Sequence, residues 1–285
     1  MKSITVRLNE SMAKKLDEVA RKTLSSKSDA VRSALAVYFS LLDNIGFYFK
    51  PSIPIKNIDM EFERNAAYFD LGNFISVAVL NVTYGGVGEK EMDEKLDLAL
   101  VSEVMANQLF VESACRFIDA KAILISTGNE YEYSKKFLLL FSKSIKRRFK
   151  AETFLIDHEE VFKTHQTFLS ATLLGIRDMS LKNVPKRGDA IYLWGKVVKK
   201  EIKFEDLPDP LELLKIVELV RSKVANAIFP VKMDGVESVA NYAASIAGGK
   251  LMLYQNPGGC PATAVLICSS NDLEKFGCRK IGEIN

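Results

Sequence analysis

The first 45 residues constrain the fold most strongly, because they form a unit that is too small to fold alone. Apolar and polar residues alternate in residues 3–8 (SITVRL), which predicts a short strand. Asn9 then caps a predicted amphipathic helix over residues 10–23, and Ser28 caps a second helix over residues 29–42. One strand and two short helices bury too little apolar surface to be stable by themselves. We therefore expect this segment to pair with a partner.

Two copies related by a two-fold axis would satisfy that need. If their strands pair antiparallel, the apolar row covers the helices, and Ser3, Thr5 and Arg7 line the outer face of a two-stranded ribbon. Such a ribbon fits the DNA major groove, where arginine bonds to guanine and hydroxyls reach donors or acceptors. The free N–H groups at the start of the second helix, with Lys27 beside them, would bind a phosphate. The alternative is a strand that edges a larger sheet.

The charge distribution is compatible with DNA binding. Residues 1–45 hold eight Lys and Arg against five Asp and Glu, a net charge of +3, which equals the net charge of the whole chain. The remaining residues are therefore neutral overall. A basic segment of this size also occurs as an ordinary solvated surface, so charge alone does not identify a partner.

The order of elements and the phrase SKSDAVRSAL at residues 26–35 resemble the ribbon-helix-helix family of repressors, the CopG, Arc and MetJ type. By that resemblance Ser3, Thr5 and Arg7 read bases, and Ser28 clamps a phosphate. The full set of predicted DNA contacts is Lys2, Ser3, Thr5, Arg7, Lys27 and Ser28. The resemblance also implies double-stranded DNA as the partner and a homodimer, or a tetramer, as the binding species.

Residues 46–60 lose the helical period and contain Gly46, Pro51 and Pro54, which predicts a linker. Residues 61–285 then alternate in the manner of an α/β or α+β domain. We predict strands in residues 73–84 and 121–127, a long amphipathic helix in residues 91–120, a helix near residues 134–149, and apolar runs in residues 151–156 and 167–176. The predicted domains are residues 1–45, 46–60 and 61–285.

Three phrases in the larger part point to a second family. VPKRGDAIYLWGK, VKMDGVESVANYAASIAGGKLML and FGCRKIGEI occur in that order. They resemble the pGD.l.lTG strand, the D.sDGl...l..la..sg helix and the final G....IGev of one superfamily. Its members are aminoimidazole ribonucleotide synthetase, thiamine-monophosphate kinase, selenophosphate synthetase and the hydrogenase-maturation dehydratase. The matches fall at Gly188-Asp189, Asp234-Gly235 and Ile281-Gly282-Glu283.

That resemblance implies an ATP site at a dimer interface, where Asp-rich motifs hold magnesium ions against the phosphates. The acidic residues are sparse in this chain. The phrase YFDLGN supplies only Asp70 where the family has GDDAA, and Asn81 stands where an Asp should end the next strand. On the following helix the match falls near Ala114, with Glu112 and Asp119 close by. We therefore predict no catalytic residue and no metal site.

Some ligand-binding residues remain as candidates. Asp234 is the best acidic one, and Gly85 and Gly86 of the phrase YGGVG could approach a phosphate. Together with Asp70 they form the predicted ligand-binding set. The glycines suit an ordinary loop equally well, because no lysine-serine pair follows them. No cofactor is certain, and an ATP-like nucleotide is the implied effector.

The remaining chemistry-bearing residues indicate structural roles. The four cysteines have neither zinc-ligand nor disulfide-scaffold spacing, so we expect buried thiols, including Cys260. His158 and His165 have no further metal ligand at suitable spacing. No apolar run approaches the roughly 20 residues that span a bilayer, and no signal peptide opens the chain. We expect a cytoplasmic location without membrane contact.

These observations favour an α+β protein, with a ribbon-helix-helix segment and a synthetase-like α/β domain. Its function would be sequence-specific DNA binding in transcription regulation, with the second domain serving dimerisation and the sensing of a nucleotide or metabolite. The alternative is an ATP-dependent phosphotransferase or ligase with an autoregulatory DNA-binding head. A third reading is a scaffold whose large domain only dimerises.

Overall fold

A computed structural model describes residues 8, 10–23, 26–35, 60–70, 75–198 and 201–285. The chain divides into two compact units, Met1–Asp59 with Leu71–Asn73 and Met60–Asp70 with Phe74–Asn285. The predicted strand, apart from Leu8, and the predicted linker, apart from Met60, lie outside the described residues.

The described part of the first unit is helical. Helix α1 spans Glu10–Lys22, and residues 27–35 form helix α2. An acid stands in the first turn of α1 and two bases in its last turn, which complements the helix dipole. Both helices were predicted from the spacing of apolar residues, and α2 begins two residues earlier than predicted. The predicted cap Asn9 and residues 36–42 of the second predicted helix lie outside the described residues.

The described residues of the second unit form two large sheets and one small one. The six-stranded sheet has the order β1-β2-β3-β8-β6-β7, with strands Met60–Glu63, Ala66–Asp70, Ile75–Gly85, Phe168–Asp178, Ile118–Glu130 and Glu152–Glu159. The five-stranded sheet has the order β10-β12-β9-β13-β11, with strands Ala227–Val231, Ala264–Ser269, Ala190–Gly195, Arg279–Ile284 and Leu251–Leu253. Short strands β4 (Val87–Gly88) and β5 (Glu94–Lys95) pair in parallel. All other neighbours are antiparallel except β6 and β7.

Within the described part of the second unit there are also four helices: α3 (Leu98–Cys115), α4 (Tyr131–Lys146), α5 (Pro210–Arg221) and α6 (Val236–Ala247). Short 3-10 turns occur at Phe204–Asp206 and Glu274–Phe276. One face of the six-stranded sheet packs on α3 and α4 in a continuous core. The five-stranded sheet is covered on both faces, by α3 and α5 on one and by α6 on the other.

Helix α3 is the element that both sheets share. Its first three turns pack on the six-stranded sheet, while Phe110, Val111 and Cys115 belong to the core beneath the five-stranded sheet. A helix buried on every side needs no polar face. The prediction of an amphipathic helix over residues 91–120 was therefore wrong in both length and character. Among the described helices, none combines the length and hydropathy needed to cross a bilayer.

Local interactions and backbone geometry determine where α3 begins and ends. The Asp97 side chain accepts a hydrogen bond from the Ala99 N–H at 2.6 Å, which caps the helix there. Asp93, which the sequence placed in the helix, is buried and accepts from the Thr167 N–H at 2.7 Å. At the other end Phe117 has a φ of 57°, which turns the chain out of the helix and into β6.

A buried carboxylate joins α3 to α4. Glu103 accepts hydrogen bonds from the Ser144 hydroxyl at 2.6 Å and is paired with Arg148 at 2.6 Å and with Arg147. Burial alone would raise the pKa of Glu103, but the hydrogen bond from Ser144 and the charge of Arg148 outweigh it and hold the pKa below its ordinary value. The ionised form of this group therefore stabilises the fold.

We expect Glu103→Gln to lower the free energy of unfolding by about 3 kcal/mol, because the substitution leaves buried Arg148 without its counter-ion. Since the folded state lowers this pKa, the stabilisation is present above the ordinary value of 4.5 and is lost as pH falls through the lower value. Urea denaturation over a pH series measures this difference. Glu218→Gln, an exposed position on α5, is the control. If the difference in unfolding free energy between Glu103→Gln and wild type stayed constant as the pH falls below 4.5, the stabilising role of the ionised Glu103 would be contradicted.

Candidate functional site

The start of α2 is a capped helix end with free N–H groups. The Ser26 hydroxyl accepts from the Asp29 N–H at 3.1 Å and donates to the Asp29 carboxylate at 2.6 Å. Asp29 also binds Arg32 at 2.5 Å, and its pKa is lowered by the Ser26 hydrogen bond and by Arg32. The cap is thus Ser26, and the prediction of Ser28 as the cap was wrong. Ser28 lies inside the first turn, where its role as a phosphate clamp stays a prediction.

Lys27 stands beside that helix end and pairs with Asp17 of α1. Both side chains are largely exposed, so this ion pair is weak and a phosphate could compete for the lysine. The other predicted DNA contacts, Lys2, Ser3, Thr5 and Arg7, lie outside the described residues.

In the larger unit the predicted ligand residues are spread over several elements. Asp70 ends β2 and lies opposite Ser76 of β3. Asn81 lies five residues further along β3, about 17 Å away, and on the opposite face of the sheet. Asp70 therefore does not lie next to Asn81.

Asn81 lies in a neutral polar patch. Its amide donates to the Ser170 hydroxyl at 3.0 Å and to the Thr172 hydroxyl at 2.9 Å, and it accepts from the Thr83 hydroxyl at 2.9 Å. These groups are amide and hydroxyl oxygens without a formal charge. The described residues contain no cluster of three or more His, Cys, Asp or Glu side chains of the kind that holds a metal ion.

Gly85 and Gly86 lie at the end of β3 and in the turn that follows it. The Gly86 N–H donates to the Thr167 carbonyl at 2.9 Å, and the Gly86 carbonyl accepts from the Glu94 N–H at 2.9 Å. Gly88, in the same loop, leaves no room for a side chain, because an added Cβ would lie 2.7 Å from the Thr167 hydroxyl. The loop is thus packed through its own backbone, and phosphate contact by Gly85 and Gly86 stays a prediction.

Asp234 lies in the loop before α6, where Gly235 has a φ of 96°. Its carboxylate pairs with Arg64 at 3.4 Å and accepts from the Ser238 hydroxyl at 2.9 Å. The carboxylate of Asp234 is thus already paired and hydrogen-bonded within the protein.

A buried ion cluster lies where the two halves of the larger unit meet, and the sequence did not predict it. Glu112 on α3 is fully buried and pairs with Arg116 at 3.2 Å and with Lys232 at 3.7 Å. Gln108 donates to Glu112 at 2.8 Å, and Lys232 donates to the Asn65 side chain at 3.2 Å. Glu112 had been noted only as a neighbour of Ala114, and the partner lysine comes from the loop that carries Asp234. The cluster joins α3, the β1–β2 turn and that loop.

Three lesser predictions concern the cysteines, the histidines and Asp119. All four cysteines are buried, as expected. Burial raises the pKa of the Cys278 thiol to about 11 and also raises the pKa values of Cys115 and Cys268. His158 lies on β7, while His165 lies in the loop before β8. Asp119, a candidate on the predicted helix, lies instead on β6 and pairs with Lys121.

The N-terminal segment matches a known family. Residues 2–38 match the family model of the ribbon-helix-helix protein, CopG family. This match confirms the predicted family of the segment and supports a DNA-binding regulator. No curated protein matches the chain by sequence.

Solved structures match this chain over most of its length. Thiamine monophosphate kinase from Aquifex aeolicus aligns with a TM-score of 0.53 and 16% identity, over 74% of this chain and 86% of that one. A HypE–HypF complex gives 0.52 and 15%, over 73% and 84%. PurL from T. maritima, complexed with ATP, gives 0.58 and 12%, over 94% of this chain and 50% of that one. At these identities the likeness concerns the fold alone, and it confirms the predicted synthetase-like α/β domain.

Proposed function

We propose that the protein is a sequence-specific DNA-binding regulator of transcription, whose N-terminal ribbon enters the major groove as a homodimer. The observation that carries this proposal is the ribbon-helix-helix match over residues 2–38. It is joined by the α1 and α2 helices and by the Ser26 cap, which leaves first-turn N–H groups of α2 available to a phosphate. Such a role places the protein with the DNA in the cytoplasm.

Apolar side chains of the N-terminal unit support pairing. Leu8, Val19 and Leu35 are each more than two-fifths exposed in the single chain, at 42%, 48% and 46%. A segment of this size gains most of its core from a partner. In the proposed dimer the second copy covers these side chains.

The larger unit offers a second pairing surface. The outer face of the six-stranded sheet, opposite α3 and α4, belongs to none of the buried cores of the described residues. Its apolar side chains, half-buried or exposed, include Met60, Phe62, Phe69, Val77, Val79, Leu124, Phe154, Leu174 and Ile176. Open sheets normally bury such a face against another layer. We propose that a second copy supplies that layer through a self-complementary contact.

A ligand would act in this regulator by binding unequally to DNA-competent and DNA-incompetent dimers. The larger domain then serves dimerisation and ligand sensing, and it lacks most of the metal-binding carboxylates that catalysis on phosphates would need. An ATP-like nucleotide remains one candidate effector, with Asp70, Gly85, Gly86 and Asp234 as its proposed contacts.

The DNA contacts give a two-part prediction. We expect Arg7→Ala to cost about 1 to 3 kcal/mol and to relax base preference, because arginine reads guanine bidentately. We expect Lys27→Ala to weaken all sequences alike and to lower the salt slope by about one unit, because it removes one phosphate contact. Gel shifts on the gene's own upstream DNA and on random DNA, over a salt series, measure both effects.

Lys215→Ala, at an exposed lysine of α5, is the matched control for Lys27→Ala. An equal loss on specific and random DNA from Arg7→Ala would show that Arg7 does not read bases. A complete failure of wild type to bind upstream DNA would overturn the proposed function.

The outer-face contact can be tested at its centre, where Val79 lies directly opposite Leu174. We expect Val79→Glu to raise the dissociation constant of the dimer about tenfold or more, because it places a charge in an apolar contact. Light scattering over a dilution series measures assembly. Val161→Glu, at a loop residue that is 77% exposed, should leave assembly unchanged. Unaltered assembly of Val79→Glu would exclude this face as the interface.

The enzyme alternative has its own assay. We expect wild type to release no ADP from ATP and magnesium beyond the level of Asp234→Ala, because the neutral Asn81 patch lacks the charge that phosphate chemistry uses. A coupled ADP assay checks this, with exposed Asp157→Ala as the control. ADP release by wild type that disappears in Asp234→Ala would restore the phosphotransferase reading.

A further inference from the structure

A cavity lies beside the buried ion cluster, between β1, the end of β8 and helix α6. Its volume is about 410 Å³, within the range of small-molecule sites. Two carboxylates and two guanidinium groups line it, from Glu61, Glu63, Arg64 and Arg177. The opposite wall is apolar and aromatic.

Two of these four charges are already compensated. Arg64 pairs with Asp234 at 3.4 Å. Glu63 lies 3.7 Å from the Arg116 Nε and accepts from the Tyr68 hydroxyl at 3.1 Å. These pairs leave one acidic and one basic side chain on the wall.

Arg177 and Glu61 are those two groups. Within the described part of the chain, neither forms an ion pair or a hydrogen bond. The Arg177 Nε is buried without a hydrogen-bond partner there. The Arg177 guanidinium carbon lies 4.3 Å from the centre of the Tyr68 ring, which fixes its plane while its edge stays available. Because solvent does not reach that Nε, a ligand carboxylate would accept from the terminal nitrogens of the guanidinium, which have no acceptor among the described residues either.

The remaining wall of the cavity is suited to an apolar group of a ligand. Phe229 and Tyr242 meet edge to face with ring centres 5.8 Å apart, and Ile246 lies beside them. Asn183 adds no free polar group, because its amide already donates to the Cys115 and Ile228 carbonyls and accepts from the Ile228 N–H.

We propose that this cavity binds a free α-amino acid with an apolar or aromatic side chain. The Arg177 guanidinium takes the carboxylate, and the Glu61 carboxylate takes the ammonium group. The side chain lies against Phe229, Tyr242 and Ile246. One free charge of each sign matches a zwitterion, whereas the phosphates of a nucleotide would face the carboxylates of Glu61 and Glu63.

The position of the cavity gives such binding a consequence for DNA. Strand β1, which carries Glu61, begins at Met60, directly after the residues that lead from the DNA-binding segment. An amino acid bound to β1 would therefore favour one position of the strand to which the DNA-binding segment is joined. This effector role rests on the proposed function, whereas the binding itself does not.

Isothermal titration of the full-length protein with L-phenylalanine, L-tryptophan and L-leucine tests the binding. We expect at least one of them to bind, and we expect 3-phenylpropanoate and phenethylamine, which each lack one charged group of phenylalanine, to bind about tenfold or more weakly. No heat from any of the three amino acids at millimolar concentration would overturn the proposal. Equal binding of 3-phenylpropanoate would overturn the zwitterion assignment.

Variants locate the site. Arg177→Gln and Glu61→Gln should each weaken binding about tenfold or more, while Arg279→Gln, an exposed arginine on β13, should not. Because Arg177→Gln could disturb the packing on Tyr68, Ile246→Trp provides a second test that fills the cavity from a residue 40% exposed. Leu214→Trp, 42% exposed on α5, is its control. Full binding by Ile246→Trp would place the site elsewhere and overturn the proposal.

A gel shift with and without the bound amino acid separates the two proposals. A change in DNA affinity that is absent in Glu61→Gln supports the effector role. Intact amino-acid binding without any effect on DNA overturns the effector role alone. DNA binding that persists when no amino acid binds overturns the cavity assignment and leaves the regulator standing.

Discussion

The fold of the larger unit depends on helix α3, which lies between two sheets and can expose almost no polar group to water. A buried charge is tolerated only when it is paired and hydrogen-bonded. Each acid on α3 meets this condition with partners from a different part of the chain: Glu103 with α4, and Glu112 with Lys232 before α6. The helix therefore fixes its neighbours by charge as well as by apolar packing.

The local spacing of apolar and polar residues predicted much of this architecture. The predictions failed where burial or hydrogen bonding depends on residues that are distant in sequence. Alternation located β3 and β6, and helical spacing located α1, because each such element carries its own periodicity. Helix α3 was misjudged because its burial on all sides comes from two sheets that are distant in sequence. Asp93 appeared to belong to it, since its hydrogen bond to Thr167 is invisible to local reasoning. Helix α5 was missed, although Asp209 at its cap and Pro210 in its first turn were signals that could have found it.

The candidate sites also differ in how far the sequence could predict them. The DNA contacts lie on one short segment, where spacing alone suggests which residues act together. The ligand candidates lie on separate elements, Asp70 at the end of β2, Gly85 and Gly86 at the end of β3, and Asp234 in the loop before α6, so local sequence shows nothing of how they are arranged. The cavity beneath α6 combines Glu61 with Arg177, which stand far apart in the chain, so no motif could have revealed it. A dimer with two pairing surfaces must also place both on a single two-fold axis, or else different copies pair and larger assemblies form.

The burial of the four thiols has a practical consequence. Cys115 and Cys278 lie on the α5 side of the five-stranded sheet, and Cys260 and Cys268 lie on the α6 side. An alkylating reagent attacks the thiolate, and a buried thiol meets neither the reagent nor the solvent that would ionise it. Modification of each cysteine thus waits for its own side of the sheet to open. The rates of alkylation of the two cysteine pairs, measured by mass spectrometry of the peptides, therefore report how often each side of the sheet opens locally in the native state.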